Sequence, residues 1–572
     1  MKSTILSRRD LDFLLYEWLD VEKLTTLDRF TEHSRETFDG VLDLCEQLAT
    51  RYFAPHNKLS DANEPTFDGQ AVTLIPDVKQ AWDAFAAADL IAMGMDAEIG
   101  GAQLPATVAQ AAFAWISAAN VSTSGYLMLT IANANLLARF GSAEQIETFV
   151  KPMLAGRFSG TMALSETQAG SSLADITTRA EPQPDGSYRL FGSKMWISGA
   201  EHELTENIVN LVLAKIPGGP AGTKGISLFV VPKFLADGTR NGVAISGLNH
   251  KMGQRGITNT VLNFDGAVGY LVGEPHRGIV YMFHMMNEAR LGVGMGAVAL
   301  GYTGYLKSLE YARERPQGRP LGVKDPSTPQ VPIIEHADVK RMLLAQKAYV
   351  EGGLALALYC AKLVDDDDAD ASRVLDILTP IAKSWPSQWC VEANSLAIQV
   401  HGGYGYTREY DVEQHYRDNR LNPIHEGTHG IQSLDLLGRK VTQNGGAGLA
   451  ALGERIAATV SKATGAAPEL AAQLDASWQR LVAVTGAMFA SGDIEAAMAN
   501  SAVYLEAFGH IVVAWIWLEQ YLAAEGRTGD FYDGKRQAAR YFFRYELPKT
   551  APQLDLLESL DRTTLEMRDN WF

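Results

Sequence analysis

The chain of 572 residues is poor in cysteine, in excess positive charge and in long uninterrupted apolar runs, and each shortage excludes something. Its three cysteines, Cys45, Cys360 and Cys390, form no CxxC pair and show no metal-type spacing. Three thiols cannot all pair, so a reducing compartment is expected. Fifty Lys and Arg stand against 67 Asp and Glu, a net charge of -17. That balance argues against nucleic acid and anionic membrane surfaces as partners, while leaving room for an anionic ligand in a local basic pocket. Between Met1 and Asp20 the apolar residues are broken up by Arg8, Arg9, Asp10 and Asp12, so no signal-type core is present there. The most apolar late stretch, Ala507 to Leu522, is interrupted by His510 and Glu519. It reads as too short to span a membrane and is expected to be a buried helix. These features together predict a cytoplasmic protein. A hydrophobic share of 47% with 20% charged residues is ordinary for a folded chain.

A chain this long exceeds one hydrophobic core, so several domains are expected. Residues 1–160 have helical texture: Leu11, Leu14, Leu15 and Leu19 recur at helical spacing, as do Phe38, Val41, Leu42 and Cys45. From 161 to 278 short β-prone runs alternate with turn signals. Asp185-Gly186 marks a hairpin, and Ile208 to Ala214 and Ile226 to Val231 are predicted strands. Helical texture returns over 279–441, broken by the Pro-rich loop Pro316 to Pro332; the acidic run Asp365 to Asp368 reads as a solvated helix end or loop. Thr442 to Gly448 has linker composition, and 449–572 reads as a further helical domain with turns at Gly465 to Pro468 and Gly526 to Gly534. The predicted fold is mainly α with a central β domain, and a ligand site is expected where domains meet.

Three short motifs invite a function. His425-Glu426-Gly427-Thr428-His429 matches the zinc pattern HExxH, which needs both histidines on one helix face. Pro423 and Gly427 oppose such a helix, so no zinc is expected. Gly292 to Ala297 (GVGMGA) matches a dinucleotide fingerprint, but Met285 to Arg290 before it reads as helix rather than strand, which favours close helix packing. Leu164 to Ser172 (LSETQAGSS) opens the β segment with small and hydroxyl residues that let a ligand approach the backbone.

This last segment does not stand alone. SKMWISGAEHE (Ser193 to Glu203), HKMGQRG (His250 to Gly256), NEARLG (Asn287 to Gly292), ARERPQGRPL (Ala312 to Leu321), QVHGGYGYT (Gln399 to Thr407) and YRDNRLNPIHEGTHGIQ (Tyr416 to Gln432) follow it in order. The series resembles the acyl-CoA dehydrogenase family across roughly residues 40–440. The added N- and C-terminal segments resemble its long bacterial subgroup, whose members act on fatty acyl-CoAs and on 3-methylmercaptopropionyl-CoA. The resemblance implies a helical domain, a β barrel or sandwich domain and a four-helix domain, with FAD between the β domain and the C-terminal helices. Desaturating a thioester requires a base for the α-proton and an acceptor for the β-hydride, and no side chain accepts a hydride, so a cofactor must.

By resemblance, Glu426 is the base, the hydride goes to flavin N5, and the Glu426 N–H with a ribityl hydroxyl holds the thioester oxygen. Leu164, Ser165 and Ser171 match the loop at flavin and CoA, and Trp196 and Ser198 match residues beside the flavin ring; for Trp196 the alternative is strand core packing. Arg315, Gln399, Gly402 and Gly403 match residues serving the partner subunit's FAD, which implies a homodimer. Thr428 matches an FAD contact, and Asn287, Arg290 and Gly427 match substrate contacts. Thr167-Gln168, Ser198 and Gly430 depart from the common pattern, and the long loop from Gly322 to Pro332 makes His336 a weaker match for a flavin contact. Some relatives carry the base immediately before the arginine matched by Arg290; here that position is Ala289, with Glu288 one residue back. An electron-transferring flavoprotein is the expected acceptor. An acyl-CoA oxidase using O₂, a zinc metalloprotease through His425 and His429, and a flavin-free acyl-CoA binder remain the alternatives.

Overall fold

Local signals set the first helices. Ser34 and Thr37 form a reciprocal capping box that opens α1 (Arg35–Leu48), and Pro76 starts α2 (Pro76–Ala87) where its missing N–H costs nothing. Asn120 ends α3 (Ala106–Ala119) and caps α4 (Val121–Phe140) by accepting from Thr123 N. The computed structural model describes residues 3–572. The helical texture before Phe158 conceals a two-stranded ribbon pairing Thr66–Phe67 with Val72–Thr73. There Asp68 Oδ1 accepts from Gln70 N and Ala71 N, so a side chain closes the turn.

The β segment consists of β1 (Phe158–Ala163), β2 (Arg179–Pro182), β3 (Tyr188–Ser198), β4 (Asn207–Lys215), β5 (Ile226–Pro232), β6 (Val243–Leu248) and β7 (Asn259–Leu271). Their order is β1-β4-β2-β3-β7-β5, with β6 on β7; an added β4–β5 pairing closes the sheet on itself. The predicted strands lie in β4 and β5, and the Asp185-Gly186 turn joins β2 to β3. Leu190, Val212, Phe229, Leu262 and Phe264 fill the inside. Asn133 of α4 fastens helices to barrel, donating to Thr161 O and Val209 O, both at 2.9 Å. A Cβ at Gly160 would stand 2.6 Å from the Asn133 Cβ, so only glycine permits that approach. These elements and the start of α5 (Gly278–Glu314) form one compact unit, Thr25–Gly292.

The second unit comprises Met1–Leu24 and Val293–Phe572. The rest of α5 lies here with α6 (Ala337–Asp366), α7 (Ala369–His401), α8 (Val412–Asn419) and α9 (His429–Asp435). Then come α10 (Ala447–Ala466), α11 (Pro468–Ala490), α12 (Ser501–Ala524), α13 (Asp530–Tyr541) and α14 (Thr550–Glu558). The GVGMGA segment is helix within α5, not a nucleotide turn. Pro386 leaves the Ala382 carbonyl of α7 without its helical donor, and a Cβ at Gly294 would come within 2.0 Å of that oxygen. The acidic run is a helix junction: Asp367 takes φ 45° and Asp368 caps α7, while Asp365 is buried.

Three expectations need correction. Ala507 to Leu522 is part of a 24-residue helix that is long and apolar enough to cross a membrane by length and composition, with 83% of its most apolar window buried. Gly534 lies inside α13, because the turn closes by Gly529, and an unforeseen break at Ser491 to Asp493 follows α11. Residues up to Leu24 group with the C-terminal helices rather than with the helices before residue 160. A buried cluster explains it: Lys535 Nζ meets Asp10 Oδ1 at 2.5 Å and Glu351 Oε2 at 2.9 Å, and Tyr302 OH donates to Asp10 Oδ2 at 2.8 Å. Charges so deeply buried persist only when mutually paired.

Candidate active site

In the first unit the Leu164 loop leaves β1 and runs beside β3. Lys194 of β3, wholly buried, donates to Leu164 O at 2.9 Å and to Glu166 Oε1 at 3.0 Å, and Met195 N donates to Ser165 O at 2.9 Å. Glu166 also accepts from the N–H and hydroxyl of Thr177 and of Thr178, at 2.6 to 3.0 Å. Burial pushes its carboxyl up, but Lys194 and these donors outweigh burial and hold it at about 2. Burial pulls Lys194 down to about 8 against the attraction of Glu166. The loop is therefore preset by its interior, while Ser171 and Ser172 stay exposed.

One step along β3 the register with β7 shifts between Lys194 and Ile197. The bulge places Trp196 at φ 66°, and its side chain is 60% exposed. Core packing in a strand, the alternative open for Trp196, is thereby overturned: the bulge turns the indole outward. A bulky residue at positive φ costs about 1–3 kcal/mol, a strain characteristic of functional sites. Ser198 accepts from Asn259 Nδ2 at 3.0 Å. An aromatic face held outward beside a loop of small residues fits a planar ring system.

At the start of α5, Arg290 is buried and donates to Asn287 Oδ1 at 3.3 Å. Glu288 accepts from Asn135 Nδ2 of α4, and burial raises its carboxyl to about 7 against that bond. Ala289 is buried beside it.

In the second unit, an open cleft of about 470 Å³ is lined by Arg315, Gly402, Gly403, Tyr404, Tyr311 and His401 among others. Arg315 lies 5.5 Å from the centroid of the Tyr404 ring, and Tyr311 stacks on His401 at 4.3 Å. Gly402 takes φ 62° at the end of α7, next to the exposed Gln399. A guanidinium lining the same cleft as exposed glycine backbone suits an anionic pyrophosphate. His336 bonds instead to Gln317 O at 2.7 Å, fastening the long loop to α6.

Glu426, half-buried, follows a turn at Leu421 to Ile424 and has φ 52°; Gly427 follows at φ 91°. Thr428 caps α9 by accepting from Ile431 N. Because α9 begins only at His429 and the chain bends at 426 and 427, the two histidines of HEGTH do not share a helix face. Burial first and then the Lys383 charge hold His425 at about 3 and His429 at about 4, so both are neutral. Among the described residues no group of three or more His, Cys, Asp or Glu is placed to hold a metal.

Known proteins resemble this chain along most of its length. The acyl-CoA dehydrogenase N-terminal, middle and C-terminal domain models match residues 37–157, 161–267 and 276–441, and an acetyl-CoA dehydrogenase C-terminal-like model matches 452–568. The 3-methylmercaptopropionyl-CoA dehydrogenase of Ruegeria pomeroyi is 37% identical over 559 residues, covering 93% of this chain and 94% of that one. The chain belongs to the acyl-CoA dehydrogenase family. It is an FAD enzyme of that family. The broad-specificity linear acyl-CoA dehydrogenase FadE5 of Mycobacterium tuberculosis is 33% identical over 99% of both chains. The Caenorhabditis elegans ACDH-11 structure shares the fold with TM-score 0.78 at 18% identity, covering 96% of this chain and 91% of that one.

The sequence motifs single out the loop and turn residues but not the buried groups that fix their backbone: Lys194, Glu166, Lys383 and Asn422, with Gln432. Lone cations inside apolar runs, SKMW and PIAKSWP, were the available signal.

Proposed function

We propose that the enzyme removes the α-proton and β-hydride of an acyl-CoA to give the trans-2-enoyl-CoA, with Glu426 as the base. The observation that carries this reading is Glu426 itself: an acidic residue held at φ 52°, its own carbonyl bonded by Gln432 and that of Gly427 by Lys383. Such strain persists only where the surroundings enforce it. A Glu426 carboxylate oxygen takes the α-proton, and the Glu426 N–H supports the charge that develops on the thioester oxygen, where a preorganised donor helps most. FAD, when bound, supplies the hydride acceptor that no side chain can be.

Leu164, Ser165, Trp196 and Ser198 hold the ring system of the subunit's own FAD. Arg315, Gln399, Gly402 and Gly403 serve the FAD of a second copy, which makes the enzyme a homodimer, and Thr428 adds an FAD contact. Ser171, Asn287, Arg290 and Gly427 bind the CoA thioester. We assign the electrons to an electron-transferring flavoprotein, the reaction to fatty-acid β-oxidation and the enzyme to the cytoplasm. The relatives named for linear and 3-methylmercaptopropionyl thioesters make those the first substrates to assay. Glu426→Gln is expected to keep FAD and lose about 10³-fold in kcat, within the range for acid–base catalysis. Wild-type turnover in that variant refutes the assignment, and peroxide formed in proportion to product would replace the flavoprotein acceptor with O₂.

A further inference from the structure

A wholly buried lysine is costly unless its ammonium meets well-placed acceptors. Lys383 of α7 is such a residue, lying between the helix-interior prolines Pro380 and Pro386. Its Nζ donates to Asn422 O and to Gly427 O, each at 2.7 Å. These two carbonyls bracket Glu426.

Other bonds converge on the same bracket. Gln432 Nε2 donates to Glu426 O at 3.0 Å. Asn422 Nδ2 donates to Asn419 Oδ1 at 2.8 Å, and Asn419 Nδ2 donates to Asn394 Oδ1 at 2.7 Å and to Ala297 O at 3.0 Å. Asn394 Nδ2 donates in turn to Leu300 O at 3.0 Å. With its amide hydrogens turned to Asn419, Asn422 offers Oδ1 to His425 Nε2 at 3.1 Å, so His425 carries its proton there. The loop is thereby referenced to α5 and α7 through buried side chains that have little freedom to move.

We propose that Lys383 is the positioning residue of the reaction: its ammonium clamps the chain on both sides of Glu426 and keeps that residue in its left-handed turn. A lysine suits the task because one tetrahedral donor group reaches two carbonyls that diverge around a bend, which a neutral amide of shorter reach does not. The inference rests on Glu426 being the base, and it makes Lys383 act through Glu426 rather than on substrate. Misplacement of a catalytic group by about 1 Å costs about 10²-fold in rate.

The test is a set of variants assayed per bound FAD with an acyl-CoA the enzyme turns over, protiated and deuterated at the α-carbon. Lys383→Met is expected to lower kcat about 10²-fold, leave KM within about threefold and enlarge the α-deuterium isotope effect, because only proton removal is misaligned. Lys383→Gln, which keeps one donor, should recover part of the loss. Gln432→Met, which releases the Glu426 carbonyl without touching a charge, should lose about 10-fold in the same sense. A purely structural lysine would lower the melting temperature and FAD content but leave turnover per flavin and the isotope effect at wild-type values, and that result overturns the clamp. If Lys383→Met yields no folded protein, wild-type turnover per flavin in both Lys383→Gln and Gln432→Met overturns it instead. Glu426→Gln run alongside separates the failures: its retaining activity removes the base and the clamp with it, whereas an inactive Glu426→Gln with unaffected Lys383 variants removes the clamp alone.

Discussion

Lys194→Met should unseat the Leu164 loop from within. The substitution preserves length and removes two bonds, to Leu164 O and to Glu166 Oε1. It leaves a Glu166 carboxylate with 2% side-chain exposure facing no cation but still accepting from Thr177 and Thr178. Removing one member of a buried ion pair costs about 3–5 kcal/mol, since the remaining charge keeps its desolvation penalty. For a unit of this size that corresponds to a fall in melting temperature of roughly 10 °C, taking about 2–4 °C per kcal/mol. Glu166→Gln alone should cost a similar amount, because it strands the ammonium. The double variant should cost less than the sum by about 2–3 kcal/mol, since neither charge is then left alone. The assay is thermal unfolding of apoprotein, with FAD affinity measured in parallel; affinity should fall with the loosened Leu164 carbonyl. Additive single effects within about 0.5 kcal/mol, or Lys194→Met melting with the wild type, would refute the pairing argument.

Trp196→Gly should leave apoprotein stability unchanged or higher by about 1 kcal/mol, since it relieves a positive φ and removes an exposed ring, while weakening FAD at least about 10-fold; titration with FAD and a melting curve decide it. For pH, burial holds His202 and His425 at about 3 in the folded chain against 6.5 free. The unfolded chain therefore takes up protons first, and stability falls as pH drops from about 6.5 toward 3, by about 1.4 kcal/mol per unit per histidine. The depressed Glu166 adds a later loss from about 4.5 toward 2; stability that stays flat from pH 6.5 to 4.5 speaks against the histidine part, and His202→Gln should flatten the slope. Adding Ala289→Glu to Glu426→Ala should restore part of the lost turnover, whereas Glu288→Gln alone should cost little, because its carboxyl is committed to Asn135; an inactive Glu288→Gln beside an active Glu426→Gln would reverse the assignment of the base.

Much of this protein was legible in the residue order because local chemistry decided it. Pro423 and Gly427 weigh against a zinc-binding helix, Asp185-Gly186 makes its hairpin, and the Leu164, Trp196 and Glu426 segments keep motifs whose spacing carries the family likeness. What the order could not disclose depends on partners distant in sequence. Asp10 joins the C-terminal helices only because Lys535 and Glu351 reach it from far along the chain. Trp196 faces outward rather than into the barrel only because β3 bulges against β7, an event of register between two strands. Glu426 takes its left-handed turn in a setting closed by Lys383, Gln432 and a run of asparagines anchored on other helices. Composition and spacing single out candidate groups; burial and long-range hydrogen bonding, which exist only in the folded chain, decide which way those groups point.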